Sequence, residues 1–171
     1  LTLAGIGLMR SVSISNVVAG NLAFQQAATH SADAGVETAV TFLEASSGAG
    51  TNTLHSNILN GTGVRYVAQR QDPASGATWD AFWTTLSSNG AVNTLPADAA
   101  GNTVSYVIHR LCNSTGAPAY PGCSYSPDRT NVNGNSQGAG VIQLQTTRQV
   151  YYRITARVTG PRNTLSFVQV V

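Results

Sequence analysis

The hydrophobic pattern changes character along the chain, and the changes mark its parts. Residues 1–44 contain no proline and no turn cluster, and they read as one helix with two environments. Up to Met9 the only polar residue is Thr2. Leu3, Ile6, Leu8 and Met9 are followed by Val12, Val17, Val18 and Leu22, and the first charge is Arg10. From Phe24 onward apolar residues recur at helical spacing. Phe24, Ala28, Ala32, Val36, Val40 and Leu43 are expected to form a face that packs on a globular head, with His30, Asp33, Glu37 and Glu44 turned elsewhere. The first part offers water no polar face. Residues 1–23 are therefore expected to stand clear of the head, and residues 24–171 to form it.

Past Ala45 the helical period stops at Ser46, Ser47 and Gly48. Residues 63–70 alternate as a strand, with Val64, Tyr66 and Ala68 against Arg65, Val67 and Gln69. Residues 78–86 carry Trp79, Phe82, Trp83 and Leu86 at spacings of three and four, which predicts a short amphipathic helix. Residues 88–102 read as a loop bracketed by turn residues, and residues 103–111 as a strand that delivers the chain to Cys112. The clearest alternation lies in residues 149–159. Val150, Tyr152, Ile154, Ala156 and Val158 share one face, and Tyr151, Arg153, Thr155, Arg157 and Thr159 the other. A turn at residues 160–163 leads into a last hairpin strand over residues 164–171. The expected fold is α+β: a long N-terminal helix packed on an antiparallel sheet of about four strands, with a closed loop between two cysteines.

Composition narrows the function classes. Only 9% of residues are charged, against about 25% in ordinary globular domains, while 42% are apolar, so the chain folds and carries its polarity on Ser, Thr, Asn and Gln. The arginines never cluster, and with a net charge of +2 the electrostatic footprint of nucleic-acid binding is missing. Cys112 and Cys123 flank a loop rich in Pro, Gly and Ser, and no further Cys or His lies near enough in sequence to complete a metal set. A structural disulfide is the leading reading, and two buried free thiols the alternative. If the pair is oxidised, the compartment is periplasmic or extracellular. The apolar start is too short to span a bilayer, which takes about 20 residues. It is expected to continue a longer hydrophobic helix lying upstream, together with an export signal.

Catalytic and nucleotide-binding signatures are missing, and no cofactor is expected. His30, Asp33 and Glu37 share a helical face at spacings that would suit a metal, but such sets are what solvated helix faces carry. His109 and His55 read as ordinary surface or core-edge histidines. Asp128, Thr130 and Gly134 give a faint calcium-loop pattern that fails at Val132 and at the closing position. The chain is expected to act through surfaces and not as an enzyme.

Several stretches carry a resemblance. Residues 3–11 (LAGIGLMRS), 18–21 (VAGN), 23–28 (AFQQAA) and 32–39 (ADAGVETA), with the closing hairpin 151–164, resemble PilX-type minor pilins of bacterial type IV pili. Residues 46–149 match nothing specific. The resemblance implies a curved N-terminal helix that sits in the inner membrane, with a periplasmic head, before assembly, and in the core of an extracellular pilus after it. Its implied partners are other minor and major pilins along the helix, a tip adhesin, and the inner membrane through the upstream segment. Its implied role is priming pilus assembly, in the service of adhesion and twitching motility. A major pilin or a pseudopilin of a type II secretion system is the neighbouring alternative. A different class is an exported module whose loops around Trp79 and Trp83, or around residues 117–125, hold a carbohydrate or another surface ligand.

Overall fold

The computed structural model describes residues 2–47, 52–119, 122–126, 149–161 and 164–171, with side chains described from Met9 onward. The calcium-like stretch at Asp128 and the side chains of Leu3, Ile6 and Leu8 lie outside the described residues. Helix α1 runs over Thr2–Ser47, 46 residues and so roughly 70 Å at 1.5 Å per residue. Its many hydroxyls do not break it, because Thr29, Thr38 and Thr41 each donate to the carbonyl four residues back.

The four-stranded antiparallel sheet has the order β1 (Asn93–Thr94), β2 (Thr103–Arg110), β3 (Tyr152–Gly160), β4 (Thr164–Val170). Val104, Tyr106 and Ile108 of β2 sit opposite Val158, Ala156 and Ile154 of β3, and Val168 of β4 lies opposite Ala156. This face, with Tyr66 and Ala68, meets Ala28, Ala32 and Ala39 of α1 in the main core. The arrangement is the α+β fold expected of a pilin-like chain.

The sheet is covered on both faces. Helix α2 (Trp79–Ser88), capped by Thr78 whose side chain accepts from the Ala81 N–H, lies against the opposite side. Trp83, Leu86, Ala91 and Val92 join Val67 and Val107 in a second core, with Phe82 and Phe167 at its margin. Arg153 and Thr155, which the alternation sets on the face away from Ile154 and Ala156, are buried, and so is His109 of β2. His109 is therefore no surface or core-edge residue.

Residues 63–70 do not join the sheet as a strand. Only Val67 bridges β2, in parallel, through Val67 N–H to the Ile108 carbonyl and Arg110 N–H to the Val67 carbonyl. The backbone groups on either side are taken by side chains: Asn93 binds both the N–H and the carbonyl of Arg65, Asn57 accepts from the Ala68 N–H, and Arg110 Nε donates to the Ala68 carbonyl. A ladder cannot extend where its donors and acceptors are already satisfied. The fourth strand is instead the two-residue β1, inside the stretch that reads as a loop.

Candidate functional site

Burial along α1 begins at Phe24, and every residue from Met9 to Ala23 is exposed. Met9, Val12, Ile14, Val17, Val18 and Leu22 are 56–78% accessible. They point to all sides of the helix, at about 100° per residue, so no orientation of the isolated helix hides them. Arg10 is the one charge among residues 9–23. No helix among the described residues is long and apolar enough to cross a membrane.

The head-packing face differs from the expected one in phase. Ala28 and Ala32 are fully buried, and Phe24, Val36 and Leu43 are half-buried, but Val40 is 40% exposed. Steps of four residues advance 400°, so a strict i, i+4 row drifts by about 40° per step and leaves the sheet within a few turns. The buried seam follows alternating steps of four and three: Ala28, Ala32, Gly35, Ala39, Phe42 and Ser46 are its buried or half-buried members. Gly35 is part of that seam because α1 approaches β2 closely there. A Cβ at Gly35 would lie 2.9 Å from Val104 Cγ1 and 3.4 Å from Tyr106 Cδ1.

Two further contacts fix the helix where it enters the head. Phe24 lies over Gly160 at the end of β3, where a Cβ would come within 2.3 Å of Phe24 Cε2. About two turns further on, Ser31 Oγ donates to Asp98 Oδ2 at 2.8 Å, and Asn102 Nδ2 binds both Ser31 and Asp98. The Asn102 backbone N–H, the Ser31 hydroxyl, the Asn102 carboxamide and the Ala100 N–H together lower the Asp98 pKa to about 2. This hook ties the β1–β2 connection to the helix. Around the junction open two grooves of about 540 and 460 Å³, the first between Asn16, Val17 and Pro161, the second between Gln25 and Phe167 beside β4.

The far end of the head is tied by Cys112–Cys123, which are joined in a disulfide. Beside it Arg110, fully buried, donates to the carbonyls of Leu54, Ala68, Ser114 and Gly116. One guanidinium thus holds three loops with no carboxylate partner among the described residues. On the α2 face, Arg153 reaches Asp72 and the Gln71 carbonyl and lies over the Trp79 ring, while Arg157 pairs with Asp80 at 3.0 Å. Burial pushes the Asp72 carboxyl up, but hydrogen bonds and charge from Arg153 and Arg70 outweigh it and hold the pKa below the usual range.

His30, Asp33 and Glu37 are exposed on α1, and among the described residues no group of His, Cys, Asp and Glu could hold a metal. Trp83 is buried, and Trp79 is half-buried against Phe82 and Phe167. Trp83 thus belongs to the second core, while Trp79 keeps part of its ring at the surface. Gly35, Ala39, Gly160 and the Ser31–Asp98–Asn102 hook are missed by reading a four-residue row. A glycine inside an otherwise alanine-rich helix was the available signal for the first of them. Neither a protein-family model, nor a curated protein, nor a solved structure matches the chain.

Proposed function

We propose that this chain is a minor pilin of a type IV pilus, a non-enzymatic subunit that joins the fibre through the projecting half of α1 and helps to prime its assembly. The observation that carries the reading is the exposure of Met9, Val12, Ile14, Val17, Val18 and Leu22 around a helix anchored firmly to the head only from Phe24 onward. Apolar side chains on every side of a helix are stable in water only when neighbours surround them. A bundle of parallel copies of such helices supplies those neighbours, as the core of a pilus does. The disulfide and the low charge suit a head exported to an oxidising compartment, and the resemblance of residues 3–39 and of the terminal hairpin to PilX-type minor pilins supplies the family.

The test replaces exposed positions that touch nothing in the head. In a strain of the source bacterium lacking the gene, wild-type chain is expected to restore surface pili by electron microscopy, and Ile14→Asp with Val18→Asp is not. Sedimentation of the purified chain is expected to shift from associated species toward monomer with the same double substitution, at an unchanged melting temperature. Normal piliation in the deletion strain would sink the assembly role. Normal pili with lost protein secretion would transfer the chain to the pseudopilins.

A further inference from the structure

Where the C-terminal end of α2 meets residues 57–71 there is a pocket of about 350 Å³, within the range of about 300–1,000 Å³ that small-ligand sites occupy. Its lining includes four carboxamides, Asn57, Asn60, Gln71 and Asn89, together with the buried apolar Val67 and Ala91. No charged side chain lines it among the described residues. The Asn57 carboxamide is already used, its Oδ1 accepting from the Ala68 N–H. Those of Asn60, Gln71 and Asn89 make no hydrogen bond to protein among the described residues. Asn60 is also the one non-glycine residue with positive φ, +55°, among the described residues. Its backbone N–H donates to the Gly90 carbonyl, and its side chain occupies the space that a Cβ at Gly90 would need, 1.7 Å from Asn60 Oδ1. The left-handed backbone and the glycine contact together hold this carboxamide in the lining, and such outliers concentrate where a geometry is used.

We propose that this pocket binds a neutral saccharide ring. A carboxamide presents an acceptor oxygen and a two-hydrogen donor side by side, the complement of adjacent hydroxyls that each donate and accept. Three free carboxamides around a small apolar wall match a ring with polar edges and a C–H face. Phosphorylated, sulfated and carboxylated ligands would find no cation among the lining residues and would lose their hydration for nothing. The site lies on the head, apart from the projecting helix, and its failure would leave the fibre reading untouched.

The test is binding of the labelled chain to an array of uncharged and anionic glycans, followed by amide NMR titration with the free monosaccharide that terminates the best ligand. Expected are neutral glycans among the ligands and saturable shifts of the Asn60, Gln71 and Asn89 side-chain amides. Asn60→Gly keeps the left-handed backbone comfortable while deleting the carboxamide, and Gln71→Leu removes a second one; each is expected to weaken binding about tenfold, the equivalent of about one lost hydrogen-bonded pair. An array without neutral ligands, binding confined to anionic glycans, or wild-type affinity retained by both variants would overturn the proposal.

Discussion

Acidification from pH 7 to pH 4 is expected to remove about 3 kcal/mol of stability through one side chain, His109, whose pKa is lowered from 6.5 to about 4. The cause is burial first and the neighbouring Arg153 charge second, with Asp72 opposing both. His109 is fully buried opposite Arg153, and neither ring nitrogen has a hydrogen-bond partner among the described groups. The group binds its proton more readily in the unfolded chain than in the folded one. Its contribution is therefore intact above about pH 6.5 and is lost as pH falls toward 4. The linkage relation gives losses of about 2 kcal/mol by pH 5 and about 3 kcal/mol by pH 4, or roughly 6–12 °C in melting temperature for a domain of this size. The assay is urea or thermal unfolding at steps of half a pH unit between 7 and 3, on wild type and His109→Leu. Leucine cannot be protonated and leaves no orphaned ring nitrogen, so the variant is expected to be flat between pH 6.5 and 4. Further losses below pH 4 belong to Asp98 and Asp72, whose pKa values are lowered. They stabilise above the ordinary carboxylate range and stop doing so as pH falls through their folded values, a window that barely overlaps that of His109. Identical pH profiles for wild type and His109→Leu between 6.5 and 4 would refute the argument.

Two other substitutions test the packing. Gly35→Leu is expected to destabilise the head by about 2–3 kcal/mol in urea unfolding, because overpacking against the buried, β-branched Val104 outweighs the helix propensity gained, which is about 1 kcal/mol. A stabilised variant would mean that α1 can move off the sheet freely. Arg110→Met is expected to cost more than about 3 kcal/mol, since four backbone carbonyls lose a charged donor at once. Limited proteolysis should then open residues 52–58 and 113–118 first, and unchanged protection of both loops would show that the disulfide suffices to hold them.

Much of this fold follows from local sequence. Residues 1–44 contain no proline and no turn cluster and the 149–171 region alternates cleanly around a Gly-Pro turn, so the ends of the chain specify α1, β3 and β4 by period alone. The exposed start of α1 is legible for the same reason, because an absent polar face is a property of composition. The Cys112–Cys123 pairing needed no more than two cysteines bracketing one loop. Other features depend on groups far apart in sequence. Whether residues 63–70 become a strand was decided by Asn57, Asn93 and Arg110, which take the backbone partners a ladder requires. Whether the polar face of β3 meets water was decided in part by α2, whose Trp79 lies under Arg153 and whose Asp80 pairs with Arg157. Even along α1 the periodicity shows that a packed face exists but not its phase. The drift of 3.6 residues per turn let Gly35 and Ala39 displace Val40, because the sheet selects the smallest residues where the helix comes nearest.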